Sequence, residues 1–345
     1  MSENKKRIVP FDEIITALLD MNRPFPPVFL HRFSDLSPND LQKVKTVWAN
    51  VNPDRRAALL EDLEHLSEAD HLLIFDEMAK FALDDSDPRV RVTAVRLLFD
   101  CQDPKLAPKF MQILENDQNP AVQAAAATSL GQYIYLGEIE EISQNILHQV
   151  VEQLLDTLQS NQDKLVRRRA LESLGFSGRP EVKPLIITAY SSEDPEWLTS
   201  AVFAMGRSAD QAFIQSVLEM LDHPDPEVQF EAVRAAGELE AHPARGLLLE
   251  LLESSAENED LHMAVIWSLS QIGGEGVREM LETLMEETED GELIDFIEEA
   301  LDNLYLTEGF SELEMFDFEV RDEGDLDSVT DLDAKEDDQE DEDPL

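Results

Sequence analysis

Asp194-Pro195-Glu196-Trp197-Leu198-Thr199-Ser200-Ala201-Val202-Phe203-Ala204-Met205-Gly206 is answered 31 residues later by Asp225-Pro226-Glu227-Val228-Gln229-Phe230-Glu231-Ala232-Val233-Arg234-Ala235-Ala236-Gly237. Both stretches open on Asp-Pro-Glu, and then place a large apolar residue (Trp197, Val228), an alanine four residues on (Ala201, Ala232) and a glycine (Gly206, Gly237) at matching positions. Working outward, the same places are filled by Val90/Ala94, Val122/Ala126/Gly131, Val166/Ala170/Gly175, Ala264/Ser268/Gly273 and, more faintly, Phe296/Ala300. The anchors at 90, 122, 166, 197, 228, 264 and 296 are separated by 32, 44, 31, 31, 36 and 32 residues. A period of this length, with helical spacing inside each unit, is the signature of stacked helical hairpins. The fold expected is all-α: an α-solenoid, a superhelix of stacked antiparallel hairpins, with a disordered acidic C-terminal tail.

Each repeated residue has a physical task. An Asp or Asn ahead of Pro starts a helix: its side chain accepts from a free backbone N–H, and Pro fits the first turn, where its missing N–H would be unpaired. Asp87-Pro88, Asn119-Pro120, Asp194-Pro195 and Asp225-Pro226 read this way. The Val or Trp marks the apolar stripe, and the alanine four residues on shares its face and lets the next repeat come close. The glycine is expected to end the first helix in the left-handed region. A second amphipathic helix follows, as in Ala209–Leu221, with Ala212, Phe213, Val217, Leu218 and Leu221 inward, and in 276–285 around Val277, Met280, Leu281 and Leu284.

The Asp-Pro-x-Val … Ala … Leu-Gly unit resembles the HEAT-like repeats of phycobilin-lyase-type bacterial proteins over roughly residues 84–306. Phe99 stands at the glycine place in the first clear copy and Tyr305 in the last, as array ends allow. The resemblance implies a bacterial protein and the solenoid scaffold. It is specific for fold and unspecific for activity.

The chain is read in three parts. Residues 1–83 form a divergent helical cap, with candidate helices at Phe11–Leu19, Leu36–Ala49, Asp54–Leu66 and Ala69–Leu83, and with Pro24, Pro26 and Pro27 separating the first two. Residues 84–310 are the array. Its widest spacing contains the apolar run Ile139–Leu158, either a lengthened second helix or an inserted one. Residues 311–345, with 17 acidic and 2 basic residues, cannot bury enough apolar surface to order themselves. The start of that tail is mixed: Phe310, Leu313, Met315, Phe316, Phe318 and Val320 either cover the end of the last repeat or form a partner-binding motif.

Charge is the second strong signal. The formal net charge is −48, and residues 61–310 alone hold 51 acidic against 16 basic side chains. Such a surface repels phosphate backbones and anionic membrane, which excludes nucleic acid and lipid as the expected partners. The natural complement is a basic protein surface; acidity that serves only solubility is the competing reading.

Targeting and chemistry signals are sparse. Asp12 and Glu13 interrupt any apolar run after Lys5-Lys6-Arg7, so no signal peptide forms, and no stretch approaches membrane-spanning length. The single cysteine, Cys101, fits a reducing, cytoplasmic compartment, and its acidic neighbours Asp100 and Asp103 disfavour the thiolate. The seven histidines are scattered without paired metal spacing. Deoxyhypusine hydroxylases, which share this repeat type, place His-Glu pairs two and three residues after the anchor. Here those places hold Val92-Thr93, Ala124-Ala125, Arg168-Arg169, Thr199-Ser200, Phe230-Glu231 and Ile266-Trp267. Gly273-Gly274-Glu275-Gly276 reads as a turn between helices, and Asp325 to Glu336 matches a calcium loop only in part, with Val329 and Thr330 at ligand and glycine places. Trp197 and Trp267 are expected in the core.

The expected function is therefore that of a non-catalytic interaction scaffold, without metal or cofactor, that binds a basic protein through an acidic concave groove lined by the second helices. The partner-binding candidates are Asp210, Glu219, Glu279, Glu282 and Glu286, joined by Phe316 and Phe318 from the tail. The alternative, implied by the resemblance, is an enzyme or accessory factor that attaches or isomerises linear tetrapyrroles.

Overall fold

The computed structural model describes residues 9–322, and the chain divides into two compact units, one ending at Ile272 and one beginning at Gly273. Every regular element among the described residues is helical. The first unit opens with α1 (Phe11–Leu19), a 3-10 stretch Pro27–Phe33, α2 (Pro38–Val47) and a 3-10 turn Trp48–Asn50. Hairpins then follow in pairs of first and second helices: α3 (Pro53–Ala69) with α4 (Asp76–Ala82), α5 (Pro88–Leu97) with α6 (Leu106–Asn116), and α7 (Pro120–Glu138) with α8 (Gln144–Ser160). The series continues with α9 (Lys164–Leu174) and α10 (Val182–Tyr190), α11 (Pro195–Arg207) and α12 (Ile214–Met220), α13 (Pro226–Glu238) and α14 (Arg245–Ser254), and closes on α15 (Glu259–Ile272). The second unit holds α16 (Val277–Glu287) packed on α17 (Gly291–Asp322).

The helix starts form as the sequence dictates. Asp87, Asn119, Asp194 and Asp225 each accept from the backbone N–H two residues on, at 2.9–3.1 Å. A second layer of caps has no Asp-Pro signature. Asp85, Asp117, Asn161, Ser192 and His223 each accept from the backbone N–H of the capping residue itself. These five inter-repeat loops are thus tied twice, which satisfies donors that a tight loop would otherwise strand.

Anchors and alanines form the core: Val90, Ala94, Val122, Ala126, Val166, Ala170, Ala201, Val228 and Ala232 are fully buried. Trp197 and Trp267 are only half-buried, and Trp197 carries the Arg167 guanidinium 5.3 Å from its ring centre. In the last copy Ile297 is buried while Phe296 is half-buried, so the anchor there slips by one residue.

Gly273, directly after α15 with φ 61°, ends its helix in the left-handed region as expected, but the other repeat glycines do a different job. Gly131, Gly206 and Gly237 lie inside their helices, and Gly175 caps α9 in right-handed helical conformation. They are there for close approach. A Cβ on Gly131 would stand 2.9 Å from Ser173 Oγ, one on Gly175 2.9 Å from Ala204 Cα, and one on Gly237 2.8 Å from Ser268 Cα. After α7, α11 and α13 the left-handed turns fall instead on Glu140 (φ 64°), Ala209 (φ 51°) and Glu240 (φ 48°). Each small residue thus meets a small residue of the next first helix, so first helices stack at backbone contact. Among the second helices of the first unit only α6 and α8 pack closely on one another. In this unit the first helices are therefore the tightly stacked layer and the second helices the more open one.

Of the two expectations for the run Ile139–Leu158, the lengthened second helix is the one observed, and the first helix before it is lengthened as well. The extra residues lengthen both members of one hairpin, to 19 residues in α7 and 17 in α8, with a turn at Glu140 between them. The segment Ala209–Leu221 is broken into a 3-10 turn and α12. Phe213, Val217 and Leu221 are buried there, Leu218 is half-buried and Ala212 is exposed. At the C-terminal end, the backbone is helical as far as Asp322. Residues 323–345, with the partial calcium loop and most of the expected disordered tail, lie outside the described residues.

Candidate functional site: the face of the first helices

The places two and three residues after the anchors, empty of metal-binding pairs in the sequence, carry the polar side chains Arg168, Arg169, Thr199, Ser200 and Glu231 in the later first helices α9, α11 and α13 of the first unit. There they begin a linked polar strip. Arg168 Nε donates to Ser200 Oγ (2.8 Å), Ser200 donates to Glu172 Oε1 (2.6 Å), and Arg169 donates to Glu172 Oε2 (2.5 Å). Lys164 bridges Asp194 and Glu196 across the same two helices.

The strip continues through Arg207. Its guanidinium lies 5.3 Å from the ring centre of Phe176 and 5.0 Å from that of Phe203, and pairs with Glu238 at 3.1 Å. Arg207 Nε is buried without a hydrogen-bond partner, and burial pushes this guanidinium down from its ordinary range. Arg234 reaches Glu238 at 3.5 Å and Glu231 only at 4.0 Å. Burial above all, with Glu172 and Glu238 nearby, pushes Glu231 up to about 7 against the pull of Arg234 and Arg207. Four arginines thus face four glutamates here, with no excess of either sign.

Toward the N-terminal end the bulky side chains give way to alanine. Ala121, Ala124 and Ala125 of α7 floor a hollow of ≈ 1080 Å³ between α3, α5, α7 and α9. Its walls include Glu64, Glu68, Arg96, Phe99, Asp100, Cys101 and Leu165. Arg96 is held by Glu64 through two bonds of 2.6 and 2.7 Å. Cys101 Sγ donates to Asp76 Oδ2 at 2.8 Å, and burial first, then that carboxylate, pushes its thiol up. The acid that quiets the thiol is Asp76 of the preceding repeat, which neighbour reading along the sequence could not supply.

The residues singled out in the sequence fall elsewhere. Asp210 lies at the second-helix side, caps Ala212 and is paired with Lys183 at 2.5 Å. Glu219 of α12 accepts from the Tyr190 hydroxyl at 3.3 Å. Both sit on the second-helix layer of the first unit. Glu279, Glu282 and Glu286 belong to the second unit, exposed along one side of α16. Phe316 and Phe318 fall on the last turns of α17, beyond the residues whose side chains are described. The polar strip and the alanine hollow are not among the sequence-predicted sites, although Arg168, Arg169, Ser200, Glu231, Ala124 and Ala125 all stand two or three residues after an anchor.

No group of three or more potential ligands converges on a metal site, and no helix is long and apolar enough to cross a membrane, among the described residues.

These features define a class: the model of HEAT repeats matches residues 75–145, 151–224 and 214–302, and the chain belongs to the HEAT-repeat proteins. Within that class it is similar to the uncharacterized phycocyanin operon protein Z of Pseudanabaena tenuis, 25% identical over 178 residues, which are 49% of this chain and 87% of that protein. Among solved structures it is similar to the complex of CpcE and CpcF of phycocyanin lyase from Nostoc sp. PCC7120, at 20% identity, TM-score 0.45, over 66% of this chain and 94% of that one. It is also similar to the YibA protein of E. coli, at 18% identity, TM-score 0.41, over 81% of this chain and 96% of that one.

Proposed function

We propose that this chain is a protein-interaction module, without chemistry of its own, whose partner presents a basic surface. The observation that supports this reading is how the array's few cations are spent. Arg91 is bound by Asp117, Arg96 by Glu64, Lys109 by Asp84, Arg179 by Glu152 and Glu181, Lys183 by Asp210 and Arg207 by Glu238, in most cases bridging neighbouring helices. The 51 carboxylates of residues 61–310 far outnumber their 16 basic residues, so the excess faces solvent. An unneutralised acidic field speeds association with a positive partner and weakens with salt over ~8–10 Å. Glu279, Glu282 and Glu286 are the proposed electrostatic contacts, since they are exposed along one side of α16. The test is recovery of native partners by wild type and by the Glu279→Lys, Glu282→Lys, Glu286→Lys variant at low and moderate salt. Recovery that ignores both the reversal and the salt contradicts the proposal.

A second reading is an accessory role in tetrapyrrole attachment, favoured by the matched stretch shared with the phycocyanin operon protein. Mixing the protein with a linear tetrapyrrole separates the two. A shifted absorbance band that follows the protein through gel filtration supports the second reading, and an unchanged spectrum with free pigment supports the first.

A further inference from the structure

We infer that the hollow between α3, α5, α7 and α9 seats an amphipathic α-helix of a partner protein, with leucine-sized side chains on the alanine floor and lysines or arginines beside the acidic rim. The inference rests on the reading of the chain as an interaction module for basic partners.

Three observations carry it. The first is the floor. Three residues after the anchor, α9, α13 and α15 carry Arg169, Glu231 and Trp267, whereas α7 carries Ala125, with Ala121 and Ala124 beside it in the hollow. The step down from those side chains to a methyl group is what opens the hollow. The second is the rim. Ile74 is 50% exposed, Phe99 40% and Leu165 38%, three large apolar side chains left open to water around a single depression. Scattered exposed apolar residues need no explanation, but a cluster edging a groove marks a contact surface. The third is charge. Arg96 and Arg169, the cations of the hollow, are neutralised by Glu64 and Glu172, while Glu68 and Asp100 stand exposed at its edge. The rim therefore complements a basic flank.

The occupant is a helix rather than an extended peptide for a backbone reason. The hollow is built from helix side chains, and helices satisfy their backbone groups internally, so they offer no row of N–H and C=O groups to an added strand. A segment buried there must satisfy its own backbone, and a helix does. Four first helices spaced at about 9 Å span about 27 Å, which about 18 residues of helix would cross.

The experiment uses the full chain and defined peptides: an 18-residue amphipathic helix of Leu and Lys carrying a fluorophore, its Leu/Glu counterpart, and a Leu/Lys peptide of the same composition with the helical pattern scrambled. The first should bind, and the other two should bind at least tenfold more weakly. Phe99→Glu and Leu165→Glu, both at exposed positions, should each weaken the first peptide at least tenfold while circular dichroism stays unchanged. Ala125→Trp, which fills the floor, should do the same. Equal binding of the Leu/Glu or scrambled peptide overturns the inference, as does undiminished binding to all three variants. If the variants bind normally while the Glu279, Glu282, Glu286 reversal abolishes binding, the basic-partner reading stands and this hollow is not the seat. If the Leu/Lys peptide does not bind at all, the helix is wrong, and partner recovery with its salt dependence still tests the broader reading by itself.

Discussion

Gly206 of α11 lies against Ala235 of α13 so closely that a Cβ on the glycine would sit 2.9 Å from the alanine Cα and 2.6 Å from Glu238 Oε2. Helix propensity alone would reward alanine at Gly206 by ~1 kcal/mol. The contact reverses that sign, because the neighbour is backbone and cannot step aside. Gly206→Ala and Gly237→Ala should each lose stability, by about 1–3 kcal/mol. Gly246 of α14 has nothing within 4 Å of its would-be Cβ, so Gly246→Ala should gain up to ~1 kcal/mol. Thermal melts of the three variants check the opposite signs.

Ala201 and Ala232, both fully buried, hold the same spacing one turn earlier in their helices. Replacing either with Phe should overpack the layer and cost ~1–3 kcal/mol or more. Melting with wild type would mean that the repeat register is misassigned.

The period, the caps and the buried stripe were legible in residues 87–300 because each rests on local chemistry: Asp-Pro at a helix start, an alanine four residues after a large apolar side chain. Which layer stacks at backbone contact was not legible. It depends on Gly206 meeting Ala235 and Gly237 meeting Ser268, contacts between residues some thirty apart that no local rule supplies. The same holds for Cys101, whose acid partner Asp76 comes from the preceding hairpin, and for the capping residues Asp85, Asn161 and Ser192, whose varied side chains disguise one role. The alanine hollow was hidden for another reason. Ala124 and Ala125 read as ordinary helix formers until their neighbours on adjacent helices show what is missing there.

Arg56 and Asp85 fasten the N-terminal helices to the array. Asp85 Oδ2 accepts from Arg56 Nη1 at 2.7 Å and from Trp48 Nε1 at 2.6 Å, with the carboxylate fully buried. Asp85→Ala strands a buried guanidinium and should cost about 3–5 kcal/mol. Pairing Asp85→Leu with Arg56→Met should restore much of that loss, since an apolar pair removes the orphaned charge along with its partner. Chemical denaturation of the single and double variants reads both effects.

Glu231 gives the array a pH dependence of definite sign. Its folded value, about 7, lies above the ordinary 4.5, so between these values the folded chain holds a proton that the unfolded chain releases. Its contribution to stability is present below pH 4.5 and is lost as pH rises through 7. The groups that face it are Arg234, Glu172, Glu238 and Arg207. Glu231→Gln should therefore match wild type at pH 5 and exceed it at pH 8, by up to about 3 kcal/mol. A difference that does not grow with pH contradicts the burial of this carboxylate.

The central claim, that the chain binds a basic partner through the exposed carboxylates of α16 and the hollow of the first helices, is tested most directly by hydrogen exchange on the complex with a captured basic partner. The account predicts slowed backbone exchange on α16 and on α5, α7 and α9, with α6, α8 and α10 unchanged from the free protein. Protection confined to α6, α8 and α10 would contradict it.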